Sequence, residues 1–402
     1  MYSTILPFSF ALPTKSLVFD VAALYQHMQS LTDQRDRRGL RYPLALLLTI
    51  AVLAKLAGQN RVQDIAEWAS WRTKELCELF AFERATLPHP TSWSRILGNA
   101  VQPDAVDTAV STFLRRAETP LVPARASIVV ALDGKTLRGT IPRGSTRGLH
   151  LLAAYRPQDG VVLAQVAVDQ KENEIVAAPQ LVRQLDLHGV VVTGDALLAQ
   201  RSLSIQIVEA GGDYVWQIKD NQPTMRAEIE LLFAPELVQA GWSAPAVDFT
   251  RARTVDARNG RIEERMVTVS SLLAEYSEWP YLAQVFKLER HVSVAGKPCT
   301  TEVHYGITSI PASVANAARI LELVRAHWGI ENGLHQRRDV TMEEDAMRVR
   351  CGNAPHVLAS LNNLSLGISL QAGWDNLAAA QRAFAYQIDK VLTQPRSVAV
   401  QQ

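Results

Sequence analysis

The chain has 402 residues, of which 48% are hydrophobic and 20% are charged, and its formal net charge is +1. These values are ordinary for a globular protein that buries a core, and the length predicts two or three domains. The near-zero charge does not exclude a nucleic-acid partner, because phosphate binding needs a local basic patch and not a basic total.

No targeting or membrane segment is expected. The N-terminal stretch MYSTILPFSFALPTKS lacks the basic start and the long apolar core of a signal peptide. The strongest apolar run, LALLLTIAVLAKLAG, contains Lys55 and is too short to span a bilayer. Cys77, Cys299 and Cys351 form no CxxC pair, which argues against a disulfide framework or a cysteine zinc site. We therefore expect a cytoplasmic protein with no membrane partner.

Residues 1–120 are predicted to form a helical N-terminal domain. Apolar residues recur at helical spacing through YPLALLLTIAVLAKLAGQNRVQDIAEWASWRTKELCELF, with a break at residues 58–60. Two helices joined by a short turn have the outline of a helix-turn-helix, so this domain is either a DNA-end-binding module or a plain helical bundle. In HPTSWSRILGNAV, Thr91 or Ser92 is the expected N-cap of another helix.

An α/β pattern follows, which we assign to residues 126–223 and 313–390. The apolar β-like runs are SIVVALDG, HLLAAY, GVVLAQVAVD, GVVVTGDA and DYVWQIKD. Two helical patterns, one of them capped by Asn173, lie among these runs. A hairpin followed by strand–helix–strand alternation predicts a mixed sheet covered by helices. Residues 224–312 hold further β-like runs and are predicted to be a β-rich insertion.

Two aspartates are expected where buried strands of this sheet stop. Asp133 follows VVAL and Asp195 follows VVTG. Ligands of open α/β sheets gather at the carboxyl ends of strands, and an unpaired carboxylate is costly in an apolar site. A divalent cation is one natural partner for both side chains. The alternative is that each aspartate only forms a turn or caps a helix.

The stretch HWGIENGLHQRRDV supplies a third acid on a predicted helix. Glu331 lies one helical turn from both His327 and His335, and Arg338 follows on the same polar side. This spacing also fits a His-Glu-His zinc site or a solvated helix face, and both alternatives stay open. Trp328 and Ile330 on the same helix, however, indicate that it is at least half buried.

Several motifs in order resemble a known family. They are ALDGKTLRG, KENEI, VVTGDALLAQ, GGDYVWQIKDNQPT, NGRIEER and HWGIENGLH, and the helical stretch before them also fits. This set resembles DDE-type insertion-sequence transposases of the H-repeat-associated (ISAs) group, over residues 30–365. The resemblance implies a helical N-terminal domain followed by a ribonuclease-H-like mixed-sheet core with a β-rich insertion.

The resemblance also implies an activity and its site. Asp133, Asp195 and Glu331 match the family's acidic triad, which would bind Mg²⁺, with Mn²⁺ as a substitute. The implied reaction is cleavage at transposon ends followed by strand transfer into target DNA. The partners would be double-stranded DNA and, on that DNA, a second copy of the chain. The implied location is the cytoplasm, in association with the nucleoid.

Further residues are candidates for DNA contact in such an enzyme. Basic and amide side chains would contact phosphates: Lys135, Arg138, Lys219, Asn221, Gln222, Arg261, Arg265 and Arg338. For Lys135 and Arg138 the alternative is a solvated turn. His327 and His335 flank the third acid and are added to this set. Trp216 would stack on an extruded base or belong to the core.

The chain departs from the usual pattern of the group at a few flanking positions. They are Leu198 and Ala199 after the second acid, Asn259 in the insertion, and residues 336–338 after the third acid. The three acids are unchanged. We therefore expect an active transposase, with two alternatives: a domesticated DNA-binding protein that cleaves weakly or not at all, or a metal-dependent nuclease without end specificity.

Overall fold

A computed structural model describes residues 20–36, 38, 40–84, 86–116, 125–169, 173–234, 248–258, 260–294 and 297–392. The chain divides into two compact units, residues 1–114 with 340–402 and residues 115–339. The boundary predicted near residue 121 and the departure at Asn259 lie outside the described residues. No helix among the described residues is both long enough and apolar enough to cross a membrane.

The first unit begins with six helices. They are α1 (Val21–Met28), α2 (Leu44–Leu56), α3 (Val62–Trp71), α4 (Thr73–Leu79), α5 (Pro90–Asn99) and α6 (Pro103–Arg115). Every residue of α2 is buried, as expected from a segment whose only polar side chains are Thr49 and Lys55. The predicted N-cap of α5 was wrong: the cap is His89, because Pro90 fits the first helical position and needs no hydrogen bond there.

The second unit is built on a mixed sheet, which confirms the predicted fold class. Its first strands are β1 (Ile128–Thr136), β2 (His150–Arg156), β3 (Val161–Val168), β4 (Val190–Gly194) and β5 (Asp213–Ile218). Their order is β3-β2-β1-β4-β5, in which β1, β4 and β5 are parallel and β2 is antiparallel to both of its neighbours. This is the ribonuclease-H-like arrangement.

Helices cover both faces of this sheet. Helices α7 (Glu174–Val182) and α8 (Arg201–Glu209) pack on one face, where Val130 and Val192 point. Successive residues of a strand face opposite sides, so Val129 and Val191 belong to the core on the other face. Strands with two buried faces read as continuous apolar runs, which explains why β1 and β4 were easy to predict.

The predicted β-rich segment continues the same sheet. Helix α9 (Pro223–Leu232) precedes β6 (Thr250–Arg258), β7 (Arg261–Ser270), β8 (Gln284–Val294) and β9 (Thr300–Thr308). Strand β9 pairs with β5, and β8, β7 and β6 follow outward, all antiparallel. The structure therefore describes one nine-stranded sheet.

A bent helical segment follows the last strand. Helix α10 (Ala317–His327) packs on the face of the sheet opposite α7 and α8. Residues Glu331–His335 then form a π-helical turn, and α11 (Gln336–Val340) follows. The helix predicted through residues 327–338 is thus interrupted by a π turn. Such turns are rare in proteins, and those that occur are often found at functional sites.

The last two helices belong to the first unit. They are α12 (Ala354–Gln371) and α13 (Leu377–Leu392). Lys55 of α2 is fully buried and donates to the Asn362 amide oxygen of α12 at 2.7 Å. The sequence assigned residues 313–390 to the sheet domain, whereas the contacts divide this stretch after Asp339. Helix α12 is buried on nearly all sides and packs with the fully buried α2.

Candidate active site

Asp133 lies on β1 where one of the two neighbouring strands ends. The expectation that it stands at the end of its own strand was wrong, because β1 pairs with β2 as far as Thr136. Pairing with β4, however, stops at Ala131. The edge of β1 beyond this point carries no strand, and the Asp133 side chain is 28% exposed there.

Asp195 directly follows β4, as predicted. Its carboxylate accepts from the backbone N–H groups of Leu197 at 2.9 Å and Leu198 at 3.3 Å, so it caps the 3-10 turn that follows. Both the capping and the ligand interpretations therefore remain compatible with this side chain.

The charge on Asp195 is poorly compensated. Burial raises its pKa above the ordinary value, against the effect of its backbone hydrogen bonds. The negative charges of Glu174 and Asp133 raise the pKa further. Carboxylates from β1, from the end of β4 and from the start of α7 thus share one region.

Glu331 and His335 reach the same region from the π turn. Nδ1 of His335 lies 3.3 Å from Oδ2 of Asp133 and 3.3 Å from Oε2 of Glu331. Ligand-type atoms of these three residues all lie within 4.8 Å of one another. The structure thus brings the first and third predicted acids together, although almost two hundred residues separate them in sequence.

The donors at this place fit a divalent cation. Carboxylate oxygens are the ligands that Mg²⁺ and Mn²⁺ prefer, and a cation would offset the repulsion between Asp133 and Asp195. A second cluster of possible ligands, Asp104, Asp107 and His356, lies in the helical unit. There Asp107 already accepts from His356 at 2.6 Å and from Ser360 at 2.5 Å.

Sequence reasoning assigned no role to Glu174, which also lies beside the site. It accepts from Nε2 of His150 at 2.8 Å, and the other ring nitrogen of His150 lies 2.8 Å from the Thr136 hydroxyl. A Cβ atom on Gly134 would come 2.1 Å from the Glu174 carboxylate, so a larger residue next to Asp133 would have to displace the Glu174 and His150 side chains. The sequence feature that could have indicated Glu174 is its position in the first turn of the helix after β3.

His327 lies beneath the site rather than on the surface. It is 9% exposed, and its Nδ1 is 3.3 Å from the Thr193 hydroxyl. Burial lowers its pKa, although the nearby charges of Asp133 and Asp195 oppose that effect. His327 therefore packs under the site, next to Thr193 of β4, and does not contact solvent in front of the acids.

Six candidates for DNA contact are buried, His327 and His335 among them. Trp216 has no exposed surface and donates to the Ser204 hydroxyl at 2.9 Å, so it belongs to the core and offers no face to a base. Lys135 donates to the Asp339 carboxylate at 2.6 Å, and Arg338 is 1% exposed. Arg265 forms ion pairs with Asp256 and Glu263 and lies over the ring of Trp328.

The other candidates lie at the surface. Arg138, Lys219 and Arg261 are exposed. Asn221 and Gln222 instead contact the chain after the second acid: their amides donate to the Ala196 carbonyl at 2.5 Å and the Ala199 carbonyl at 3.0 Å. These two side chains therefore hold the loop that carries Asp195.

The sequence matches known proteins over most of its length. A family model described as "Transposase DDE domain" matches residues 125–367, and one described as "DDE_Tnp_1-associated" matches residues 25–114. "Putative transposase YncI" of Escherichia coli O157:H7 is 27% identical over 358 residues, 87% of each chain. "H repeat-associated putative transposase YhhI" of Escherichia coli K12 is 26% identical over 87% of this chain and 90% of its own.

Two further proteins are also similar to this chain. "Uncharacterized protein in dhlA 3'region" of Xanthobacter autotrophicus is 30% identical over 64% of this chain and 84% of its own. The solved piggyBac transposase synaptic complex with hairpin DNA aligns with 93% of this chain and 80% of its own, with a TM-score of 0.42 and 11% identity. Since the first family model covers more than half of the 402 residues, the chain belongs to the transposase family that the DDE domain defines.

Proposed function

We propose that this protein cuts the ends of a mobile DNA element and joins them to target DNA, with Mg²⁺ or Mn²⁺ held by Asp133, Asp195 and Glu331. The observation that carries the proposal is the convergence of Asp133 and Glu331, whose oxygens approach a common point from β1 and from the π turn. The raised pKa of Asp195, due in part to Asp133, supports its membership of the same cluster.

These residues would divide the work between binding and orientation. Two divalent ions, when bound, supply activation of the attacking water or 3′-hydroxyl and stabilisation of the leaving oxygen. Asp133 belongs to a buried strand and Asp195 is fixed by its capping bonds, so both carboxylates are held without further ordering. Glu331 is the most exposed of the three, with 67% of its side chain exposed.

DNA would be held by the exposed cations and by the helical unit. Arg138, Lys219 and Arg261 are exposed and suited to phosphate contacts. We assign DNA-end binding to the helical N-terminal domain, residues 1–120, and we expect two copies of the chain to act together on DNA in the cytoplasm, near the nucleoid. Lys135, Trp216, Arg265 and Arg338 are left out of this set because they are buried.

The proposal is tested by cleavage of DNA that carries the sequences flanking the gene. With Mg²⁺ or Mn²⁺, the wild-type chain should nick at the element ends, and Asp133→Asn should cut at least about a thousandfold more slowly, since metal ions supply several kcal/mol of transition-state stabilisation. Asp186→Asn is the matched control, because its side chain is 82% exposed in a surface ion pair with His188.

Three results would count against the proposal. Equal cleavage by Asp133→Asn would remove the metal site from the mechanism. Tight binding of the ends by the wild-type chain, without any metal-dependent product, would favour the domesticated DNA-binding protein instead. Cleavage that ignores the end sequence would favour a general nuclease.

A further inference from the structure

His335 stands between the first and third acids of the site. Its Nδ1 lies 3.3 Å from an oxygen of Asp133 and 3.3 Å from an oxygen of Glu331, while only 5% of its side chain is exposed. A carboxylate oxygen accepts hydrogen bonds, so Nδ1 carries the hydrogen and donates it to Glu331, while the Asp133 carboxylate lies 3.3 Å from the same nitrogen. The imidazole therefore ties a carboxylate on the sheet to a carboxylate on the helical segment.

The opposite ring nitrogen is isolated. Nε2 of His335 is buried, and it has no hydrogen-bond partner among the residues that the structure describes. A histidine that binds a metal nearly always donates from its other nitrogen to a carboxylate, a carbonyl or water. The isolation of Nε2 therefore argues against direct metal ligation through Nδ1, and the burial of the ring argues against a DNA contact.

We propose that His335 is a positioning residue, whose Nδ1–H holds the Glu331 carboxylate against Asp133 so that the two acids are gathered before a cation arrives. This inference rests on the proposed function and extends it to a residue outside the acidic triad. Ordering a long exposed side chain costs conformational entropy, so a tether that restricts Glu331 in advance strengthens metal binding.

The π turn provides the geometry for this tether. A π turn holds more residues per turn than an α-helix. The angle between the Glu331 and His335 side chains around the axis of the segment therefore differs from that in an α-helix. The turn packs closely on β2: a Cβ atom on Gly333 would come 2.6 Å from the Tyr155 hydroxyl oxygen. Tyr155 is itself buried, which raises its pKa to about 12, so a neutral rigid ring supports the turn.

Two amide substitutions separate the two ring nitrogens of His335. His335→Asn places an N–H donor where Nδ1 stands, and His335→Gln places its donor near Nε2, where nothing accepts it. We expect His335→Gln to weaken Mn²⁺ binding by about 10- to 100-fold, the usual cost of losing a residue that orients a ligand. His335→Asn should keep most of the affinity. Free Mn²⁺ is measured by electron paramagnetic resonance on the full chain without DNA.

Each other pattern of results overturns the tether. Equal losses in both variants would mean that the imidazole itself is needed, and no loss in either would mean that the contact is idle. A ¹⁴N coupling to Mn²⁺ in the wild-type protein that disappears in His335→Asn would identify His335 as a metal ligand.

A metal-free measurement keeps this inference distinct from the proposed function. Two-bond ¹H–¹⁵N spectra of histidine-labelled protein should show His335 protonated at Nδ1 and bare at Nε2. Protonation at Nε2 alone would refute the tether even if the enzyme cleaves DNA. Conversely, unchanged Mn²⁺ affinity in Asp133→Asn would refute the proposed metal site, while the spectra would still report whether the tether exists.

Discussion

Asp195, at the end of β4, and Glu263, on β7, are partly buried carboxylates of one continuous sheet, yet their pKa values move in opposite directions. Burial raises the pKa of Asp195, and neighbouring acids raise it further. Burial also acts to raise the pKa of Glu263, but Arg290, Arg265 and Arg261 outweigh it and lower the value.

The comparison separates charges that are paired within the protein from charges that need an outside partner. Around β7, Arg265 pairs with Asp256 at 2.6 Å and with Glu263, which also binds Arg290. Arg265 and Arg290 both lie over the ring of Trp328. Around Asp133 and Asp195, acids instead lie near acids. The first region is a structural network, and the second is suited to a cation.

Breaking the paired region should give the largest effect on stability. We expect Arg265→Met to lower the free energy of unfolding by about 2–3 kcal/mol. The cost falls below that of a fully orphaned charge, because Glu263 keeps Arg290 and Asp256 keeps Arg325 at 2.9 Å. Denaturant unfolding measures the difference.

A surface pair on the neighbouring strand is the control for that change. Arg253→Met removes the partner of Glu264, but the Arg253 side chain is 60% exposed. An exposed pair contributes about 0–1 kcal/mol, so this variant should unfold nearly as the wild type does. Equal losses in the two variants would remove the distinction between a buried network and surface pairs.

Removing single charges should shift stability with opposite signs in the two regions. The folded pKa of Asp195 is raised, so its ionisation costs stability once the pH rises above the ordinary aspartate value. We expect Asp195→Asn to melt higher than the wild type in EDTA, with a difference that grows as the pH rises from the ordinary aspartate value to the raised folded pKa and stays constant above it. Added Mn²⁺ should stabilise the wild type more than the variant.

Glu263→Gln is the matched opposite. Its folded pKa is lowered, so its charge adds stability above the ordinary glutamate value, and that stability is lost as the pH falls through the folded pKa. The variant should therefore melt lower than the wild type near neutral pH and approach it in acid. If the difference in melting temperature from the wild type changed in the same direction with pH for both variants, the contrast between the two regions would be wrong.

The sequence predicted the sheet better than it predicted the side chains around it. Strands β1 and β4 were recognisable because their apolar runs are buried on both faces, and Asn173 was recognisable as a cap because its side chain acts on the adjacent N–H groups. The three acids were proposed from strand ends and helical spacing, although Asp133 lies within β1 and not at its end. Local pattern was sufficient wherever the partner was nearby or was solvent.

Residues whose partners lie far along the chain were not predictable in this way. The salt bridge of Lys135 depends on Asp339, and Gly333 of the π turn packs against Tyr155 of β2. The spacing of four between Arg261 and Arg265 suggested a phosphate rail, but only Arg261 is exposed. Whether a cation is free or paired is decided by tertiary contacts that a single sequence does not reveal.

A smaller effect is expected from the amides that hold the second acid. Asn221→Ala removes the hydrogen bond to the Ala196 carbonyl and so loosens the turn that follows Asp195. We expect Mn²⁺ affinity to fall about tenfold, with DNA binding in EDTA unchanged. Lost DNA affinity with normal metal affinity would instead support the direct phosphate contact suggested by the sequence.

The smallest effect should come from a single exposed cation near the site. Lys219 follows β5, is exposed and forms no ion pair with the described residues, whereas Lys287 on β8 lies 3.0 Å from Glu289. If Lys219 contacts a phosphate, Lys219→Ala should reduce the slope of log affinity against log salt by about 1, because one fewer counterion is released. Lys287→Ala should leave that slope unchanged, since its charge is already matched within the protein. Fluorescence anisotropy with end DNA measures both slopes, and equal changes would show that pairing within the sheet does not decide which cations reach DNA.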